Sequence, residues 1–320
     1  MSNTVAANLD GRRISDAFFA SFKALLAPVT SFATDFSGSI LRGVKTVNIP
    51  LYGPASSEDF AGDYSASPDT FIEEREVAID RHKFDTINLS DTEAATTQVE
   101  FERLAEEAGS NLAEEVFKDM LNPITVVDFY YEVVKTATLF DGDSVVDMKA
   151  LADENKMPKN DRTLLLGDSY YNNLIKDPSI KNSNRYGSPE AIQQGTISGL
   201  YGCDVRQVSS IPDNGEYLEG LLVYPSALAI AMRYLRPESP EVYTRVDRYT
   251  DPETGITVGV REFYETQTGH RYMVFECNYG RAKGLEEACV RVVSTETLFS
   301  IDDEAGNSIL DEGGFAILYK

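Results

Sequence analysis

Three glycines fall close together in the stretch QQGTISGLYGCDVRQVSSIP: Gly195, Gly199 and Gly202. Such a cluster can let backbone N–H groups approach a phosphate. The spacing, G-x-x-x-G-x-x-G, is neither the dinucleotide pattern nor the P-loop, and no Gly-Lys-Ser/Thr follows. A phosphate loop also opens a helix. Here Cys203 to Val208 alternates weakly as a strand does, and it stops at Ser209-Ser210-Ile211-Pro212. The glycines are read as shaping the chain. In DGDSVVD, Asp141, Asp143 and Asp147 resemble part of a calcium loop but lack its central Gly and terminal Glu. A turn leading into a helix N-cap accounts for them equally well. His82 and His270 are the two histidines, and no cysteine or carboxylate stands near either at metal-ligand spacing. No G-x-S-x-G elbow marks a nucleophile, so a Ser-His-carboxylate triad has no local signature. Cys203, Cys277 and Cys289, odd in number and unpaired in spacing, read as small buried thiols kept reduced in a cytosolic setting. The expectation is no enzyme, with no catalytic residue, no cofactor and no metal.

Around these residues the chain divides into recognisable elements. In ISDAFFASFKALLA, Ile14, Phe18, Phe22, Leu25 and Leu26 stand at helical spacing, and Pro28 follows as a stop. This amphipathic helix must dock its stripe on protein, its own core or a neighbour's. GVKTVNIPLYG and EVAIDRHKFDTINLS read as two strands joined by a Pro/Ser/Gly/Asp-rich tip, a ribbon that is marginal alone and needs something to lie on. Ser90 and Glu93 form a capping box for a helix over 91–121. Leu104, Ala108, Leu112, Val116 and Met120 recur every four residues along it, widened by Phe101 and Ala105, and Asn122-Pro123 ends it. Such a helix is about 45 Å long. From Ile124 the pattern is α/β: a helix capped by Ser144 and Asp147, a strand Thr163 to Leu166, a helix over DSYYNNLIKD, the strand LEGLLVYP, and a helix over PSALAIAMRYL with Pro225 in its first turn. After Pro240 the chain reads β. EVYTRVDRYT and GITVGVREFYET flank the turn DPETG, and HRYMVFECNYG and EEACVRVVS are two more strands.

Composition narrows the function classes. With 320 residues, 42% of them hydrophobic, the chain can bury one elaborate domain or two smaller ones. No run of about 18 apolar residues is present, so no membrane span is expected. The opening MSNTVAANLDGRR has no apolar core of a secretory signal. The net charge is −23, unevenly spread. Residues 1–45 hold five basic and three acidic groups, whereas 57–119 hold 18 acids against five bases. Such a surface repels nucleic acid. No basic groove accompanies the aromatic residues to make them stacking platforms.

Four pieces taken in order resemble one family, the major capsid proteins of tailed bacteriophages with the Hong Kong 97-type fold. VAIDRHKFDTINLSDTEAATTQVEFERLAEEAGSNLAEEVFKDML looks like the second leg of the family's extended loop running into its spine helix. NKMPKNDRTLLLGDSYYNNLI looks like its P-x-x-x-R-strand-helix passage, LYGCDVRQVSSIP like its strand and turn, and GLLVYPSALAIAMRYL like the strand and helix that follow. The match covers most of 43–290. The resemblance implies an α+β fold with an N-terminal arm (1–45) and an extended β-hairpin loop (46–90). It further implies a peripheral domain (91–123 and 265–295) with the spine helix, an α/β axial domain (124–264) and a C-terminal extension (296–320). It implies a structural protein that self-assembles into pentamers and hexamers of an icosahedral head, resident in the virion and in the host cytoplasm during assembly. Its partners would be itself, scaffolding, portal and decoration proteins, and packaged double-stranded DNA touched weakly, with no membrane. Arm and loop would overlap neighbouring subunits, which makes Phe18, Phe22, Asp59, Asp63, Glu74, Arg75 and Arg81 the candidate subunit-interface residues. Gly199 and Gly202 would shape the start of an axial-domain strand. About 45 residues precede the loop, too few for an independent core, so a separate scaffolding protein, or none, is expected. An encapsulin-like nanocompartment shell shares the fold and is the alternative. A soluble acidic α/β hydrolase is the alternative from another class.

Some members of the family cross-link covalently through a lysine in the extended loop. Residues 46–82 contain no lysine. Assembled particles boiled in denaturant should therefore run as single chains of 35.4 kDa. A ladder of linked subunits on the gel would contradict this.

Overall fold

The structure, a computed structural model, describes residues 4–35, 45–52, 72–91, 101–181, 197, 199–251, 254–294, 299–300 and 318–319. The N-terminal helix α1 (Thr4–Leu26) begins ten residues earlier than its apolar stripe suggests. It ends in a 3₁₀ turn (Ala27–Ser31) that accommodates Pro28, then enters strand β1 (Ala33–Asp35). Ile14, Phe18, Phe22 and Leu26 are buried in the chain's own core, and Leu25 turns outward. Of the two docking options, the chain's own core is the one used. Helix α2 (Phe101–Leu121) lies along α1. Gly109 lets the backbones meet, since a Cβ there would stand 2.5 Å from Phe18 O. Ser21 Oγ donates to Glu106 O at 2.9 Å and meets Ser110 Oγ at 2.6 Å. On α2, Ala105, Ala108, Leu112, Val116 and Met120 are buried with Ala113 and Phe117, while Leu104 is exposed. The described helix of 21 residues spans about 32 Å. Glu93, half of the expected capping box, lies outside the described residues.

Both helices cover one face of a seven-stranded sheet. Strand β2 (Thr46–Tyr52) pairs antiparallel with the first part of the 19-residue β3 (Ile72–Ser90), in register Thr46↔Ala78 to Tyr52↔Ile72. This is the predicted ribbon; its tip, with Asp59 and Asp63, lies outside the described residues.

An α/β unit follows. It comprises β4 (Glu132–Val134), helix α3 (Gly142–Glu154), β5 (Thr163–Leu166), helix α4 (Asp168–Lys176), the short helix α5 (Pro178–Lys181), β6 (Gly199–Leu200), β7 (Cys203–Gln207) and β8 (Leu218–Val223). Then β9 (Leu228–Met232), β10 (Arg245–Thr250), β11 (Thr257–Glu265) and β12 (His270–Lys283) return to the first sheet. Strand β13 (Cys289–Val293) returns to the second, whose order is β4-β13-β8-β5-β7-β6. A last pair, β14 (Phe299–Ser300) with β15 (Leu318–Tyr319), stands apart.

Three expectations need correction. PSALAIAMRYL is not a helix: Leu228–Met232 is β9, parallel to β1 and antiparallel to β12. Its alternation was legible after the fact, because Leu228, Ile230 and Met232 face the helices while Ala229 and Ala231 face Ile49, Leu51 and Val77 of the ribbon root. Burial on both faces of a five-residue run overrides the helix preference of alanine and leucine. The cap of α3 is Asp141, whose carboxylate accepts Ser144 N–H while Ser144 Oγ accepts Asp141 N–H. Ser144 is therefore the third helical residue, and Asp147 takes no part in the cap. Finally, 124–264 is not one unit, since β9, β10 and β11 belong to the helix-covered sheet and β13 to the α/β unit.

Gly202 now has a structural reason, while Gly195 lies outside the described residues. Leu200 pairs with Cys203 across a two-residue turn, Tyr201 (φ 52°) and Gly202 (φ 86°), both left-handed as a tight hairpin requires. Around Gly202 a Cβ would meet nothing within 4 Å, so its glycine serves the dihedral and not space.

Phe18 is the side chain on which α1 and the sheet converge, its ring stacked on Phe275 with centroids 3.8 Å apart. Phe18→Ala should cost about 3–5 kcal/mol, read as a fall in the denaturant midpoint with little change in slope.

Candidate assembly surfaces

Cys203, Cys277 and Cys289 are all buried, and burial pushes the Cys277 and Cys289 thiols up to about 12, far from thiolate chemistry near neutrality. His82 Nε2 sits 3.1 Å from Glu276 Oε2, and that carboxylate is held by Arg261, an ion pair at 2.5 Å on the sheet. Asp141 is held below the usual carboxylate range chiefly by the Ser144 hydroxyl, as its cap role requires. Among the described residues no group of three metal-ligating side chains forms. No helix among them is long and apolar enough to cross a membrane.

The interface candidates fare differently from one another. Phe18 and Phe22 are fully buried within the chain, so the packing against α2 and Phe275 removes them from any surface. That corrects their assignment as subunit-contact residues. Glu74 and Arg75 stand on the ribbon root. Residues Glu74, Glu76, Ala78 and Asp80 are exposed on one face of β3, while Val77 and Ile79 pack toward β9 and Arg75 is half-buried. This places Glu74 on an outward acidic stripe. Arg81 is exposed, with Asp80 at 3.7 Å.

Sequence reading missed the arginines that join the layers. Arg281 meets Asp119 near the C-terminus of α2 at 2.7 Å, and Tyr279 Oη donates to the same carboxylate at 2.8 Å. Burial raises the Asp119 pKa, but the Arg281 and Tyr279 hydrogen bonds outweigh it and leave the group below its ordinary value. Arg291, almost wholly buried, donates Nε to Phe129 O at 2.6 Å and pairs with Glu216 at 2.6 Å and Glu132 at 2.5 Å. These partners lie 75 to 162 residues away along the chain. Local pattern carries no trace of such pairs; an arginine in the apolar run ACVRVV was the one available hint.

No protein family and no curated protein matches the sequence. Solved structures do match in fold. The capsid of Cyanophage P-SCSP1u aligns at 14% identity over 83% of this chain and 87% of that one, with a TM-score of 0.55. The mature capsid of bacteriophage PhiM1 aligns at 7% identity over 84% and 87%, TM-score 0.56. A virus-like particle from Pyrococcus furiosus aligns at 10% identity over 87% and 96%, TM-score 0.52. The chain therefore has the mixed helix-and-sheet fold of phage capsid proteins, the fold its sequence motifs pointed to.

Because the folded Asp119 pKa lies below its unfolded value near 3.8, its contribution is complete above that value and fades as pH falls through the lower, folded one. Asp119→Asn should be less stable than wild type at pH 7, yet lose less between pH 5 and pH 2 (about that window). Denaturant midpoints across pH check this. Parallel curves would contradict it.

Proposed function

We propose that this chain is the major capsid protein of a tailed bacteriophage, self-assembling into the pentamers and hexamers of an icosahedral head that encloses double-stranded DNA. The observation that carries the reading is the shared fold, which covers more than four-fifths of both chains in two phage capsids. In this reading α2 is the spine helix. With α1 and the seven-stranded sheet it forms the peripheral domain. The unit built on the six-stranded sheet is the axial domain. The β2–β3 ribbon reaches a neighbouring subunit, its acidic stripe of Glu74, Glu76 and Asp80 included. The surplus of acid has a use: Glu106, Glu107 and Glu115 are exposed on α2, and a shell lined this way contacts a packed polyanion weakly. Scaffolding, portal and decoration proteins would be its further partners, the virion its destination and the host cytoplasm its place of assembly. Its work is structural, with no turnover.

A second reading, an encapsulin-like compartment shell, draws support from the virus-like particle matched over 96% of its length. The contents distinguish the two.

Expressed alone or with its neighbouring phage proteins, the chain should elute as capsomers or shells and show closed particles by electron microscopy. Particles recovered from the natural source should hold double-stranded DNA. A 35.4 kDa monomer at every concentration would contradict both shell readings, and protein cargo in place of DNA would favour the second.

A further inference from the structure

We propose that the segment from Val126 to Val134 is a preformed contact face for a second copy of this chain. The inference rests on the shell reading and gives it a specific surface. Four large apolar side chains, Val126, Val127, Tyr130 and Val134, are exposed within this short run, Val127 by 85% and Tyr130 by 61%. Exposed apolar groups scattered singly mean little, whereas several together on one segment mark a contact.

The backbone beneath them is pinned. Up to β4 the segment is turn and irregular chain, so no ladder of its own holds it. Both carboxylate oxygens of Glu216 accept Val126 N–H, at 2.9 and 3.0 Å. Asn214 Nδ2 donates to Leu121 O at 3.0 Å and Ile124 O at 2.7 Å, closing the end of α2. Arg291 holds Phe129 O by its side chain and Tyr131 O by its backbone N–H, at 2.6 and 2.9 Å. Asn214 (φ 52°) and Tyr217 (φ 55°) are both left-handed, so the loop that supplies these groups is itself strained into place. Ordering entropy is thus met before a partner arrives, which is what preorganisation contributes to binding.

Charge argues for a second copy as occupant. Copies of a −23 chain repel one another at long range, so they touch most readily where acids are partly offset by cations. Here Glu132 and Glu216 share buried Arg291, and Asp128, 3.8 Å from Lys283, shares that lysine with Glu286, which halves the local negative charge. With Arg291 buried and Lys283 between two carboxylates, the face is poorly suited to a polyanion. The four side chains expose on the order of 400 Å², about half of what one partner gives to a standard interface. That suits a contact shared around a ring of copies better than an isolated dimer. β4 is also the terminal strand of its sheet among the described residues, with an edge open to pairing.

The test is the full chain carrying Val127→Asp and Tyr130→Asp, compared with wild type by light scattering and electron microscopy over a range of concentrations. Both positions are exposed, so the thermal transition of the unassembled subunit should stay close to wild type. The subunit concentration needed for assembly should rise at least about tenfold, the equivalent of roughly 1.4 kcal/mol. Val127→Leu with Tyr130→Phe should assemble as wild type does. If the aspartates prevent folding, Val127→Ser with Tyr130→Ser serves in their place with the same expected loss. Wild-type shells together with unchanged assembly of the polar variant overturn this contact alone. A wild type that never assembles overturns the shell reading and the contact with it.

Discussion

Strand β12 is hydrogen-bonded to β3 from His270 to Gly280, and on its other side first to β11 and then to β9. Three strands of the larger sheet, β3, β9 and β11, are therefore registered directly against one strand of 14 residues, and β2, β1 and β10 are registered through them. Its inward side chains, Met273, Phe275, Cys277 and Tyr279, form the floor on which α1 and α2 lie. Its register with β3 shifts between Tyr279 and Gly280. There the ribbon leaves the sheet and crosses over it, and a Cβ on Gly280 would collide with Ala78 O. The glycine thus sets the angle at which the ribbon departs. A ribbon that is marginal alone gains its footing from Ile49, Leu51 and Val77 packed on Ala229 and Ala231. The small alanines are required by that crossing.

The same strand carries much of the electrostatic compensation. Glu276 is buried and held by Arg261, while Arg281 takes the carboxylate of Asp119 near the end of α2. A carboxylate near a helix C-terminus is unfavourable by dipole, so Arg281 and Tyr279 together make that position tolerable. Buried pairs of this kind add little net stability, but losing one partner leaves a charge stranded. Their effect is to fix how α2 lies on the sheet. Arg291 does the same where α2 gives way to the α/β unit. The chain's large negative charge is left on its solvated faces.

What could be read in advance follows from locality. β5 was legible to the residue and α4 to within one residue at its end, because TLLL is a short apolar run and DSYYNNLIKD repeats at helical spacing behind an acidic first turn. The β10–β11 hairpin declared itself through DPETG. The fold resemblance was carried by the order of such local pieces, and the matched capsid structures bear it out as a fold. β9 was misread because ALAIA satisfies both periods over so short a run, and only the two layers that enclose it decide. The assignment of strands to layers was misread for a related reason: β12 joins its hairpins to β3 and β9, and β13 joins β8 and β4, by long-range register, which the sequence does not display. Phe18 and Phe22 illustrate the same limit. Their spacing required a docking surface, and only the fold revealed that the surface was the chain's own.

That last point changes the physical picture of the subunit. A helix held by stacked aromatics, a close glycine crossing and the Lys23–Asp251 ion pair at 2.8 Å is part of the body, not a strap awaiting a neighbour. Under the proposed shell reading, contacts between copies fall on surfaces that are ordered and still incomplete. The ribbon root is one, fastened by its apolar face and acidic on the other. The Val126–Val134 segment is the complementary case, apolar outward and fastened by charge beneath. In that reading an acidic chain meets its like where its acids are already partly offset, and the buried Arg291 below that segment, shared by Glu132 and Glu216, creates such a place.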